Sequence, residues 1–350
     1  MAEKFRVGLS ADFRNADGSP AFRDFDLAPL TNDPRITLVF LEPEAVLSSR
    51  QLEDIDAVIL LAHRFDRISV PRSRRLGVVA RFGVGYDTVD VQACSDAGIA
   101  LVITPESVRR PVAVSIITLM LALTGKLTIK EKLTRIGAAG FQQRSAHMGV
   151  GLVGRVFGSL GVGNIGAEAF RLARPFDMKF IAHDPFADAR AMAELGVELV
   201  GIEELFRRSD ILSISCPLTG ATRHIVNAER LALMKPTSYL INTARGPVVD
   251  QKALTKTLQE RRIAGAGLDV LEEEPPAPDD PMLALDNAIL TPHALSWTDQ
   301  CFAHMGALDI RAVLDYCDGR NPTGAIVNRA VLDSQTWTER ISALRARLGS

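Results

Sequence analysis

Val156-Phe-Gly-Ser-Leu-Gly-Val-Gly-Asn-Ile-Gly166 is the stretch on which the fold turns. Val156 to Leu160 is a short apolar run that suits a buried strand. Gly161, Gly163 and Gly166 follow it as G-x-G-x-x-G, with Asn164 and Ile165 opening a helix expected over 165–175. The next strand-like run, Lys179-Phe-Ile-Ala, is followed by Asp184, eighteen residues beyond Gly166 and close to the spacing of about twenty that dinucleotide sites use. Each glycine has a separate task. Gly161 permits a tight turn, Gly163 lets the backbone approach a pyrophosphate, and Gly166 allows the helix to pack closely. Free N–H groups at the helix start then hold phosphate, and an acidic residue at 184 accepts from ribose hydroxyls while repelling a 2′-phosphate. The motif therefore points to NAD rather than NADP.

Outward from this loop, strand-like runs continue at Ile211-Leu-Ser-Ile-Ser, Tyr239-Leu-Ile-Asn, Ala266-Gly-Leu-Asp-Val and Ala288-Ile-Leu-Thr, with helical stretches between them. Six strands with crossover helices predict a doubly wound parallel sheet. A first series precedes it at Phe5-Arg-Val-Gly-Leu, Ile36-Thr-Leu-Val-Phe, Ala57-Val-Ile-Leu-Leu and Gly77-Val-Val-Ala, again alternating with polar helical segments. Two α/β domains are therefore expected in the 350 residues. An apolar helix near 111–128 separates the two series. After Trp297 the chain turns helical to about Asp318 and ends in a charged helix, a tail expected to return to the first domain. The expected division is 1–110 with 299–350, and 111–298. Residues 12–34 read as a long loop carrying Phe13, Phe22 and Phe25, placed to cover a site.

Composition removes several function classes. A net charge of −2 gives no footprint for nucleic acid. The apolar stretch Val112–Leu123 is broken by Ser115 and Thr118 and falls short of the ~20 residues that span a bilayer, so it is read as a buried helix. Cys94, Cys216, Cys301 and Cys317 are scattered, with no C-x-x-C pair, as in a reduced cytoplasmic protein. The start of the chain shows no signal-peptide core, and no histidine pair has metal-ligand spacing. Neither a G-x-S-x-G elbow nor a Walker lysine loop is present, which leaves hydrolase and NTPase chemistry unsupported.

Each inferred strand of the second series ends in a chemically pointed residue: Asp184, Cys216-Pro217, Thr243-Ala244-Arg245, Asp269 and His293. Ligands of open α/β sheets bind outside the carboxyl ends of the strands. A lone histidine is more often structural than catalytic, and Glu274 on its own reads as a solvated acidic turn. Company at five strand ends raises His293, while Glu274 taken singly keeps the bland reading.

These residues carry a family resemblance. Gly83-Val-Gly-Tyr-Asp87, the Gly161 loop, Cys216-Pro-Leu-Thr219, Met234-Lys-Pro236, Asn242-Thr-Ala-Arg-Gly-Pro-Val-Val-Asp250, Gly267-Leu-Asp-Val270 with Glu274-Pro275, and Thr291-Pro-His293 together resemble the D-isomer-specific 2-hydroxyacid dehydrogenases over about residues 55–330. The resemblance implies two Rossmann-like or flavodoxin-like parallel-sheet domains, with an active-site cleft between them. It also implies hydride transfer between NAD and C2 of a small 2-hydroxy or 2-oxo acid. Arg245 matches the arginine that binds the substrate carboxylate and carbonyl, a task suited to a bidentate guanidinium. His293 matches the acid–base, and Glu274 the carboxylate that orients it and favours the imidazolium. Val84 and Gly85 match the loop whose amides hold the substrate carboxylate. Thr243, Ala244 and Asp269 match positions near the nicotinamide. Cys216, Pro217 and Thr222 match the lining of the adenosine pocket. The apolar helix matches a dimer-forming segment, so a homodimer with no membrane or nucleic-acid partner is implied.

Departures from the family pattern narrow the substrate. Glu274 stands where formate dehydrogenases have Gln, and Val84 stands where phosphite dehydrogenases have Lys. Arg109-Arg110 and Ala294-Leu-Ser-Trp297 are unusual. One reading gives an arginine a second anionic group of the substrate and makes Trp297 a wall of the side-chain pocket. The other pairs both arginines with nearby carboxylates and packs Trp297 at the domain hinge. Two further readings of the whole chain are an NAD(H)-sensing corepressor-like interaction protein and an idle structural subunit. The first lacks the disordered tails such proteins carry, and intact Arg245, Glu274 and His293 argue against the second.

Overall fold

A computed structural model describes residues 3–349. The chain divides into two compact units, Met1–Val108 with Trp297–Ser350, and Arg109–Ser296.

In the first unit, β1 (Phe5–Leu9), β2 (Ile36–Phe40), β3 (Ala57–Leu60), β4 (Val78–Arg81) and β5 (Ala100–Ile103) form a parallel sheet in the order β5-β4-β3-β1-β2. Ala325–Ile326 extends it antiparallel beside β5. The strands are Val/Ile/Leu-rich and buried on both faces, as parallel strands under crossover segments must be. The carboxyl-terminal tail is bound to this sheet by buried polar groups. The Arg340 guanidinium donates to the carbonyls of Arg74, Leu76 and Ala97, and Asn328 bridges Leu101 N–H and the Ile99 carbonyl. Trp337 is buried against Tyr316.

The second unit holds β6 (Val156–Leu160), β7 (Lys179–His183), β8 (Val197–Leu199), β9 (Ile211–Ile214), β10 (Tyr239–Asn242), β11 (Gly265–Leu268) and β12 (Ala288–Leu290), all parallel, in the order β12-β11-β10-β9-β6-β7-β8. The order reverses between β6 and β9, so the Gly161 turn leaves β6 at the switch point of the sheet. Two apolar layers cover its faces, one built around Phe157, Phe170 and Phe180, the other around Leu212, Leu240 and Leu254.

The structure corrects the sequence reading in four places. The six-strand count of the second series omits β8, a three-residue edge strand whose last two residues are exposed and which therefore carries little apolar signal. The first series omits β5. The apolar helix α1 (Pro105–Thr124) starts before Pro111, which lies inside it, and its 20 residues are long and apolar enough to cross a membrane. Half of that span is buried: Ala113, Ile116, Leu119, Met120 and Leu123 belong to the core of the second unit. The 12–34 segment is not an open loop either. Phe13 and Phe25 are buried against Phe82, and Gly306 leaves the room that Phe25 fills.

One core residue stands out energetically. Asp309, on helix α3 (Asp299–Cys317), is wholly buried, and neither carboxylate oxygen has a hydrogen-bond partner among the described residues. Burial drives its carboxyl well above the ordinary value, against the opposing charge of Arg81. A folded-state carboxyl raised in this way binds more protons than the unfolded chain does. Its contribution to stability therefore falls as pH rises from its ordinary value toward the raised one. Asp309→Asn should raise the unfolding free energy at pH 8 by about 1–3 kcal/mol, and by less at pH 5. A loss of stability at pH 8, or an equal change at both pH values, in chemical unfolding would contradict this account.

Candidate functional site

The Gly161 turn has the geometry its three glycines predict. Gly161 has φ +87°, and a Cβ there would sit 2.7 Å from the Cys216 nitrogen, so both the backbone and the neighbouring β9 turn demand glycine. A Cβ on Gly166 would lie 2.8 Å from the Gly161 carbonyl oxygen, which is the close helix packing expected. Gly163 differs: a Cβ there would meet no protein atom. It is the N-cap of helix α2 (Asn164–Ala173) and has no side-chain cap, which leaves the N–H groups of Asn164 and Ile165 without an acceptor among the described residues. Asp184 lies beside this turn, accepting from Val162 N–H (2.9 Å) and Phe186 N–H (2.9 Å). An open concavity of free amides beside a ribose-suited carboxylate fits a dinucleotide pyrophosphate.

The β9 turn adds Cys216 and Pro217. Burial pushes the Cys216 thiol up to about 11, so it is an uncharged wall rather than a nucleophile. Thr222 donates its hydroxyl to the Pro217 carbonyl (2.6 Å) and so shapes this turn.

Three further turns, after β10, β11 and β12, carry the polar centre. Asn242, 1% exposed, accepts from Ala244 N–H (3.0 Å) and donates to the Arg245 carbonyl (3.0 Å), folding Thr243-Ala244-Arg245 back on the strand end. The next residue, Gly246, has no room for a side chain, since a Cβ would fall 1.7 Å from the Leu271 carbonyl oxygen. The Arg245 turn is thus pressed onto the turn that carries Glu274. Glu274 accepts from Leu271 N–H through Oε1 (2.9 Å) and meets His293 Nδ1 through Oε2 (2.8 Å). Burial pushes the Glu274 carboxyl up, but the hydrogen bond and charge of His293, with help from Leu271 N–H and Arg245, bring it below the usual range. An ionised carboxylate can only accept, so His293 Nδ1 carries the proton and Nε2, with no partner among the described residues, is left for a ligand.

Asp269 holds this arrangement in place. It is 3% exposed and accepts from Thr291 Oγ1 (2.6 Å), Ala294 N–H (3.1 Å) and Leu295 N–H (3.1 Å), closing the turn on which His293 sits at φ +55°. The sequence reading placed Asp269 near a nicotinamide; its hydrogen bonds also close the turn that presents the histidine. Asn242 was missed as a site residue. Its signal was a buried amide at a strand end immediately before the Arg245 turn.

The remaining expected residues fall as follows. Val84 and Gly85 lie in the first unit after β4, and no acceptor among the described residues takes either N–H. Gly83 beside them is held by Thr104 through two hydrogen bonds. Arg110 meets Glu168 at 2.5 Å, with Arg171 on the other carboxylate oxygen (3.2 Å). The Arg110 hydrogen bond, set against burial, holds that carboxyl below its usual range. The reading that pairs Arg110 with a carboxylate is therefore the observed one. Trp297 lies in the first unit, packed edge-on against Phe22 and Phe302 and 45% exposed. No group of three metal-ligating side chains occurs among the described residues.

Comparison with known proteins supplies the family. Residues 117–294 match the model of the D-isomer-specific 2-hydroxyacid dehydrogenase NAD-binding domain. The chain belongs to that family. It is 36% identical over 292 residues to a glyoxylate reductase of Korarchaeum cryptofilum, covering 83% of this chain and 88% of that one. It is 37% identical over 287 residues to the glyoxylate reductase of Pyrococcus furiosus, covering 81% and 85%. A crystal structure of a glyoxylate reductase from Paecilomyes thermophila superposes with a TM-score of 0.78 at 28% identity, over 93% of this chain and 99% of that one. This family member is an NAD-dependent oxidoreductase acting between 2-hydroxy and 2-oxo acids, with two parallel-sheet α/β domains. The corepressor-like reading is not favoured.

The glycines separate folding from cofactor binding. Gly163→Val should leave the melting temperature within about 2 °C of wild type and weaken NADH binding at least tenfold, because the added methyls project where no protein atom lies. Gly161→Ala should instead lower stability. Unimpaired NADH titration in Gly163→Val would contradict the assignment of that space.

Proposed function

We propose that this dehydrogenase reduces small 2-oxo acids, glyoxylate among them, to D-2-hydroxy acids with NADH. The observation that carries the reading is the His293–Glu274 pair with Nε2 unpartnered, on the turn next to Arg245. In this reading the Gly161–Gly166 turn and Asp184 hold NAD, with Cys216, Pro217 and Thr222 beside the adenosine and Thr243 and Ala244 beside the nicotinamide. The unpaired amides of Val84 and Gly85 hold the substrate carboxylate. Arg245 polarises the C2 carbonyl through its fixed fork of donors. As hydride reaches C2, charge develops on the carbonyl oxygen, and the His293 imidazolium delivers a proton from Nε2. Glu274 keeps the ring oriented and compensates its charge. The exposed part of Trp297 is proposed to contact the substrate side chain.

We further propose a cytoplasmic homodimer. Leu127, Ile136 and Phe141 are each more than half exposed on neighbouring short helices of the second unit, an apolar surface that a second copy would cover. The four thiols are all free, as in a reducing compartment.

The test is NADH consumption by the purified protein on a panel running from glyoxylate and pyruvate to dicarboxylic and aromatic 2-oxo acids, with sedimentation of the same preparation. Turnover on small members by a dimeric species is expected. Tight NADH binding with no acid reduced would contradict the reaction, and a monomer at micromolar concentration would contradict the assembly.

A further inference from the structure

Another histidine–carboxylate pair lies in the first unit, outside every motif used above. His63 Nδ1 meets Asp12 Oδ2 at 2.7 Å, and the same oxygen accepts from Ser10 Oγ (2.8 Å) and Ala62 N–H (3.2 Å). Both side chains are largely buried, 12% and 20% exposed. Burial raises the Asp12 carboxyl, but the hydrogen bonds of His63 and Ser10 outweigh it and leave the group below its usual range. The carboxylate is therefore ionised and accepts, so Nδ1 carries the proton and Nε2 is the free end of the ring. Among the described residues Nε2 has no partner.

Backbone register fixes where that pair lies in the sheet. Ser10 and Asp12 follow β1, and Leu61 to His63 follow the adjacent β3, with Ser10 N–H bonded to the Ile59 carbonyl (3.0 Å). On the other side of β3, Phe82 N–H bonds to the Leu60 carbonyl (2.9 Å), and Phe65 N–H to the Thr88 carbonyl (2.9 Å). Residues 61–64 therefore run alongside 83–87, the segment containing the unpaired Val84 and Gly85 amides. A histidine pinned this firmly, at the carboxyl edge of the sheet beside a carboxylate-binding loop, is placed to read the part of the substrate beyond C2.

We propose that His63, oriented by Asp12, is a specificity-determining residue that hydrogen-bonds a hydroxyl on C3 of the 2-oxo acid. This rests on the assignment of Val84 and Gly85 to the substrate carboxylate. A hydroxyl is the group that Nε2 can engage in either charge state, accepting its proton when the ring is neutral and donating when it is charged. A methyl group at C3 leaves Nε2 unpaired in a site emptied of water, which costs binding.

Hydroxypyruvate and pyruvate differ at C3 by that hydroxyl, so the ratio of their kcat/KM values reads the contact directly. Wild type should favour hydroxypyruvate. His63→Asn keeps a donor at the Nδ1 position for Asp12 and removes Nε2; it should lower the ratio about tenfold, with pyruvate turnover little changed. His63→Gln places an amide near the Nε2 position and should restore most of the ratio. The melting temperatures of both variants show whether the Asp12 bond and the fold survive. An unchanged ratio in a folded His63→Asn protein, or an equal loss on both acids, would overturn the proposal. So would a wild-type enzyme that reduces pyruvate as well as hydroxypyruvate. Absence of turnover by wild type on every 2-oxo acid is the separate outcome that overturns the reaction itself.

Discussion

Asp269 is the constraint on which the catalytic geometry depends. Its buried carboxylate joins the end of β11 to the turn after β12 through three hydrogen bonds, and that turn holds His293 in a left-handed conformation that is costly for a non-glycine residue. Two neighbouring constraints align the rest: Asn242 folds the Arg245 turn, and the absent side chain of Gly246 lets that turn touch the one bearing Glu274. The His293–Glu274 pair and Arg245 are thus carried by short turns on rigid strand ends, where positions hold more tightly than on free loops. A buried carboxylate whose Oδ1 takes three hydrogen bonds is also expensive to disturb, since a lost partner leaves a desolvated charge behind.

Much of this was legible in the sequence because it follows from local rules. G-x-G-x-x-G after a strand has a mechanical meaning, and each of its glycines meets the backbone, the helix or open space as that meaning requires. Branched runs separated by helical stretches give a parallel sheet, and the carboxyl ends of its strands locate the chemistry. Arg245 and His293 were read from those ends, Glu274 from the family resemblance, and the three stand on adjoining turns.

What the sequence hid is long-range or weakly patterned. Edge strand β8 has one buried residue and cannot be distinguished from a loop by periodicity. The early start of α1 was masked by Pro111, which reads as a helix start and is instead an interior proline. The structural bonds of Asp269 were hidden because its partners, Thr291, Ala294 and Leu295, lie more than twenty residues away. The Asp12–His63 pair spans fifty-one residues and belongs to no motif; only the register of β1 against β3 brings it together. The aromatic residues of the 12–34 segment were visible, but their destination, against Phe82 and Phe302, was not.

The central claim is that His293 supplies the proton as hydride reaches C2. Single-turnover oxidation of enzyme-bound NADH by glyoxylate, followed by NADH fluorescence in wild type and His293→Ala, tests it most directly. The account predicts unchanged NADH affinity and a hydride-transfer rate lower by about 10²–10⁴-fold. A rate near that of wild type would contradict it.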